Sequence, residues 1–304
     1  MLLGTVLRGQ EIANKEAMAF SRIVHDPSSV AMAFSGKASP ANVAWASFSN
    51  AAIVPMYKGK FDAELSYQSW APSSPLSSSP ISAGLSYNTG KVGITAGGSY
   101  ISYAAYDIVD EGGTTTGSYA PNDLQLNAGI GFMLGKDISL GINARYLSSR
   151  ITSEDAYSSL AADIFIAGRV ALRGVGFHYT LGLANMGTGV KDASGVSYPL
   201  PSSVSAAGSV RAELAPKNFI RANLDADYFL SSSSLGAAIG VEYSYNDMLF
   251  LRGGYHYGSA GCAIPSFASL GIGASLYGVT VNASYILANE LIGGTLCLGI
   301  GYAF

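Results

Sequence analysis

From residue 60 onward, apolar side chains alternate with polar or very small ones in segments of about ten residues, the period of a strand with two unlike faces. Residues 138–146 set Ile138, Leu140, Ile142, Ala144 and Tyr146 against Ser139, Gly141, Asn143 and Arg145. Residues 219–228 set Ile220, Ala222, Leu224, Ala226 and Tyr228 against Phe219, Arg221, Asn223, Asp225 and Asp227. The same pattern runs through 124–134, where Leu124, Leu126, Ala128, Ile130, Phe132 and Leu134 oppose Gln125, Asn127, Gly129, Gly131 and Met133, and through 279–285. A soluble sandwich would fill its polar faces with Lys and Glu. Here Gly, Ser and Asn fill them, as the crowded inside of a barrel requires.

Turn residues place short links at about 89–90, 134–137, 172–174, 215–218, 245–248 and 276–279. Long links fall at about 71–79, 106–122, 150–157, 186–203, 229–235, 257–266 and 287–294. The two kinds alternate, and seven of one with six of the other join 14 strands with both chain ends on the short-turn side. The fold predicted is all-β: a 14-stranded antiparallel transmembrane β-barrel over 60–304, in the outer membrane of a bacterium. Residues 11–59 lack the alternation and are dense in Ala, Met, Phe and Ser. They are expected to form short helices and turns folded into the lumen as a plug, the other reading being a segment partly loose in the periplasm.

Composition agrees with this picture. No apolar run approaches the ~18 residues of a spanning helix, and only 12% of the residues are charged. A net charge of -3 without a basic cluster excludes nucleic acid as a partner. Cys262 and Cys297 are too few and too far apart for a disulfide framework or a zinc site. Residues 1–10 have the apolar body of a secretory signal without its basic leader and are read as the remnant of one. Tyr67, Tyr146, Tyr228, Tyr243, Tyr245, Tyr255, Tyr257, Tyr285 and Tyr302 fall on outward positions near strand ends, where aromatic rings settle at the headgroups of outer-membrane lipid.

The register carries Asp62, Glu64, Arg145, Asp163, Arg169, Arg211, Glu213, Arg221, Asp225, Asp227, Glu242 and Arg252 inward. An arginine on the lipid side at mid-membrane would cost about 2–4 kcal/mol, so these charges themselves enforce the register. They are expected to brace lumen and plug by ion pairs and hydrogen bonds, a charged solute pathway being the alternative. The large apolar residues identified on the inward face are Phe165, Phe219, Phe250 and Met133. That scarcity argues against passage of a hydrophobic molecule.

His25, His178 and His256 are too scattered for a metal site, and no cofactor motif is present. His256, near the sixth long link, could meet a Ser or Asp from a neighbouring segment; a lumen-facing polar residue is the favoured reading. No Gly-x-Ser-x-Gly or His-Glu-x-x-His string occurs, so no enzymatic activity is expected.

Phe20-Ser21-Arg22-Ile23-Val24-His25-Asp26-Pro27-Ser28-Ser29-Val30-Ala31-Met32-Ala33 resembles the opening of the PorV/PorQ outer-membrane proteins of Bacteroidota. Trp45 to Ala52 is similar to that family's Asn-Pro-Ala element, with Ala51 in place of the usual Pro. Lys58–Trp70 looks like its first strand, and Leu183–Gly187, Leu200–Val204 and Arg252–Tyr255 are later echoes. The final segment, with Leu296, Leu298, Ile300, Tyr302 and Phe304 outward, resembles the terminal-strand signal read by barrel-assembly machinery, Phe304 being its last residue. The resemblance implies the 14-stranded barrel of the FadL long-chain fatty-acid transporters and a role in type IX secretion. The partners implied are secreted proteins with C-terminal sorting domains, or secretion-system subunits, bound through the extracellular loops above a plugged lumen. FadL-like uptake of a hydrophobic molecule is the alternative reading.

Overall fold

The computed structural model describes residues 16–74, 77–110, 112–152, 156–172, 175–192, 194–287 and 291–304. The signal-peptide remnant expected at 1–10, and the start of the plug at 11–15, lie outside the described residues.

The strands are β1 (Phe61–Ser69), β2 (Ser78–Asn88), β3 (Val92–Tyr103), β4 (Asn122–Met133), β5 (Ile138–Arg150), β6 (Ala156–Leu172) and β7 (Val175–Gly187). The second half holds β8 (Ser203–Ala215), β9 (Asn218–Phe229), β10 (Ser234–Tyr245), β11 (Leu249–Gly258), β12 (Phe267–Leu276), β13 (Val279–Ile286) and β14 (Leu296–Ala303). Each pairs antiparallel with its neighbours in the chain, and β14 returns to β1 to close the barrel. At that seam the Phe304 carbonyl accepts from the amides of Lys60 (2.7 Å) and Phe61 (2.9 Å), and the Phe304 and Phe61 rings meet at 5.4 Å. Closure leaves no open strand edge, which is what allows a sheet to stand in lipid.

The barrel of 14 strands is thus the one read from the alternation. Length sorting of the links is less sharp than expected. The link 230–233 is no longer than the turn 134–137, because β9 and β10 extend almost to their tip. Two long links build hairpins of their own, Tyr106–Val109 with Thr115–Tyr119 and Val190–Lys191 with Ser197–Tyr198. In the second, Asp192 closes the turn: the Ser194 hydroxyl and the amides of Val196 and Ser194 bond its carboxylate and hold it below the usual carboxylate range.

Outward rows of Leu, Ile and Val are exposed around the whole wall, with all nine tyrosines named above on the same side. No helix among the described residues could cross a membrane; the strands do. Ile142 stands midway along β5 on this belt. Ile142→Arg is expected to cost about 2–4 kcal/mol, read from the urea midpoint of barrels folded into lipid vesicles. An unchanged midpoint would show that this face does not meet hydrocarbon.

Candidate functional site

The lumen is occupied by residues 16–59, organised as a 3-10 turn (Ala19–Arg22), a helix α1 (Pro27–Ala31) and two further 3-10 turns (Ala46–Phe48 and Ala51–Met56). Local sequence explains these elements. Asp26 caps α1 by accepting from the Ser28 amide (2.8 Å), and Pro27 supplies a preset φ at the first helical position. Asn50 caps the last turn by accepting from the Ala52 amide (3.0 Å), while its side-chain amide donates to the Lys37 carbonyl and the Thr180 hydroxyl, both at 3.1 Å. Past α1, Ala33 and Phe34 take left-handed φ of 55° and 72°. The chain reverses there and lays the Phe34 ring on Trp70, His256 and Phe267.

Wall carboxylates hold the plug by its backbone. Asp62 accepts from the amides of Val43 (3.0 Å) and Ala44 (3.1 Å), and Asp225 from those of Gly36 (3.1 Å) and Lys37 (3.0 Å). Glu64 takes the Trp45 indole N–H (2.9 Å) and the Asn42 amide (2.8 Å). Asp227 pairs with the Lys37 ammonium. Arg145, held by Asp163 at 2.9 Å through Nε, donates to the Phe48 carbonyl at 2.7 Å. Plug segments in irregular backbone would otherwise carry orphan amides, and buried charges would lack partners. Each group here satisfies the other.

Arg221 and Arg252 share Glu242 at 2.9 and 2.6 Å, and Arg252 reaches Asn282 at 2.8 Å. Arg169, Arg211 and Glu213 share the inward parity but stand at the short-turn rim. Arg169 pairs there with Asp137 (3.2 Å) and Arg211 with Asp247 (2.6 Å), while Glu213 is exposed. The rim placement follows from β6 and β8 extending past the lumen.

The inward face is not as poor in large apolar groups as the sequence suggested. Ile101, Leu147, Phe267 and Ile286 also point inward and are fully or almost fully buried. They lie toward the long-loop end of their strands. Ile101 and Leu147 pack with Met18, Phe20 and Leu200; Phe267 and Ile286 pack with Val30, Trp70 and Ile292. Interrupted alternation hid them: Leu147 directly follows outward Tyr146, and Ile101 directly follows outward Tyr100, so both strand ends read as runs of mixed polarity. The lumen therefore holds apolar clusters toward the extracellular end, beside the buried Glu16–Arg22 pair and His256, and is charged in its middle and periplasmic parts.

The plug does not fill this space. A cavity of about 880 Å³ runs from Tyr57, Lys58 and Arg169 at the periplasmic rim to Phe229, His256 and Ile264 near the long loops. Beside it the wall is locally irregular. Between Ala162–Met186 and Ile164–Leu183 the register of β6 on β7 shifts, Asn185 adopts φ 54°, and its freed amide is taken by Asp163 at 2.7 Å. Ala184 and Asn185 line the cavity at that point.

His25 and His256 are buried in the lumen on different elements, and no group of three or more His, Cys, Asp or Glu suited to a metal occurs among the described residues. Cys262 and Cys297 are unpaired thiols, and burial pushes the Cys262 thiol up.

No family model matches the chain, and no curated protein matches it. Solved structures do. The CymD monoaromatic hydrocarbon channel superposes with a TM-score of 0.57 at 11% identity, covering 91% of this chain and 96% of that one. The toluene transporter TodX of Pseudomonas putida gives 0.55 at 12% identity, covering 91% and 97%. A FadL homologue of Pseudomonas aeruginosa gives 0.50 at 12% identity, covering 92% and 98%. At these identities the likeness is one of fold. The chain is a bacterial outer-membrane β-barrel with the FadL-like fold.

Proposed function

We propose that the barrel carries small hydrophobic molecules across the outer membrane, with no catalytic step. The observation that carries this reading is the cavity of about 880 Å³ left beside the plug, reaching from the periplasmic rim toward the long loops, where Ile23, Phe34, Phe229 and Ile264 line it. A molecule entering from the long-loop side would meet these apolar side chains at that end of the cavity. It would then pass down the cavity, or sideways through the wall where β6 and β7 lose register at Asp163 and Asn185. Proteins of the same fold described as a monoaromatic hydrocarbon channel and a toluene transporter support the reading.

Uptake of labelled toluene by cells making the barrel tests it. Ala238 lines the cavity opposite His256 on the neighbouring strand. Ala238→Trp is expected to fill the passage and reduce uptake to that of cells without the barrel. Equal uptake by the wild type and by cells lacking it would overturn the proposal.

Type IX secretion, implied by the likeness to PorV/PorQ, stands as a second reading because one surface favours it. The hairpin of Tyr106–Val109 and Thr115–Tyr119 presents Tyr106, Ile108 and Val109 to solvent on the long-loop side. Such a patch could hold a secreted protein or a secretion subunit. Capture of β-sandwich C-terminal domains by the intact barrel, lost on deleting residues 105–120, would support that reading. Capture that survives the deletion would exclude the hairpin as its basis.

A further inference from the structure

Among the described residues, one buried arginine of the lumen is only half-satisfied. Arg22 gives one nitrogen to Glu16, yet its Nε and Nη1 have no partner, and they are the only buried arginine nitrogens so placed among the described residues. Its side chain is 4% exposed. His256 is similarly buried, its ring nitrogens meeting the Ala33 backbone and no side-chain partner, and the Ser21 hydroxyl lacks a partner. All three line the same end of the cavity.

The surroundings of these groups are aromatic. The Arg22 guanidinium lies 3.7 Å over the Phe229 ring, and the His256 ring stacks on Phe267 at 5.2 Å with Phe34 tilted against it at 5.9 Å. Gly236 ties the two halves together. A Cβ at this lumen-facing position would lie 3.4 Å from both the Phe229 ring and the His256 ring, so both ring edges border the space its missing side chain leaves. Flat apolar walls with unspent donors at one side, including a guanidinium, suit a flat ring carrying an anionic oxygen group.

We propose that this end of the cavity is a binding site for small aromatic carboxylates, the ring held between the Phe229 and His256–Phe267 walls and the carboxylate accepting from Arg22, with His256 and Ser21 beside it. Leaving a buried guanidinium half-satisfied is costly, and a carboxylate supplies what the protein does not. The site deepens the transport reading by naming what the passage selects.

Binding to the purified full-length barrel in detergent, followed by calorimetry, tests this with benzoate, toluene and decanoate as probes. Benzoate is expected to bind more tightly than decanoate. Arg22→Met is expected to weaken benzoate by about tenfold, the loss of a charge-assisted hydrogen bond, and to leave toluene unchanged. Because Arg22→Met strands Glu16, the double variant R22M/E16Q is measured beside it, with folding of each checked by its resistance to SDS at room temperature. Absence of benzoate binding, or equal binding by the folded double variant, would overturn the site. Tighter binding of decanoate would overturn its aromatic selectivity. Toluene uptake without benzoate binding would sink this site alone; Arg22-dependent benzoate binding without toluene uptake would sink the hydrocarbon reading alone.

Discussion

Asp163→Ala is expected to destabilise the barrel by about 3–5 kcal/mol, the cost of stranding a buried charge. The Arg145 side chain is 3% exposed and its partner carboxylate is fully buried. Asp163 accepts from Arg145 Nε at 2.9 Å and from the Asn185 amide at 2.7 Å, so one substitution removes the counter-charge and also orphans the amide freed by the β6–β7 irregularity. Arg145 also holds the Phe48 carbonyl, which extends the damage into the plug. The urea midpoint of vesicle-embedded barrels reads the loss. The double variant D163A/R145M should recover most of the Arg145 share, because an apolar pair in the same volume carries no unpaired charge. Recovery will be incomplete, since the Asn185 amide and the Phe48 carbonyl stay without their partners. A single variant as stable as the parent would mean that the pair does not brace the lumen.

Gly141→Val should open the channel. A Cβ at Gly141 would fall 2.1 Å from the Ala52 amide nitrogen, and the neighbouring lumen position Gly131 is as tight, 2.2 Å from the Ala51 carbonyl oxygen. Real carbons do not approach so closely, and both obstacles are backbone of the 3-10 turn Ala51–Met56, which has no room to yield within the closed wall. The closed hydrogen-bonded wall is the stronger structure, so the turn is expected to leave its seat. Single-channel conductance in planar bilayers should then rise severalfold over the parent. Gly176→Val is the control: its Cβ would find only the Arg211 carbonyl oxygen, at 4.0 Å, and conductance should not change. Unaltered conductance in Gly141→Val would show that the turn does not obstruct the pore.

The two predictions concern the same design. Wall glycines bring the plug's backbone against the strands at two places, Gly131 and Gly141 against Ala51 and Ala52 and Gly240 and Gly254 against Met32, and wall carboxylates grip its amides elsewhere. Small and charged inward residues are therefore parts of one seating surface. The cavity remains beside the plug, where Arg169, Arg211 and Arg221 of the wall line it.

The alternation of outward Leu, Ile and Tyr with inward Gly, Ser and Asn, together with the turn residues that mark the links, was enough to determine the closed 14-stranded barrel and its register. In lipid a one-residue slip would put Asp62, Arg145 or Asp225 into hydrocarbon, a penalty that no other pairing escapes. The lack of alternation before residue 60 likewise made short helices and turns legible there. What the lumen contains was not. Whether Leu147 and Ile101 form an apolar extracellular end depends on which plug residues reach them, namely Met18 and Phe20, contacts over separations that no periodicity encodes. The cavity, and the unspent nitrogens of Arg22 that face it, exist only because the plug fills part of a cylinder whose width the strand count sets and whose free volume packing alone decides.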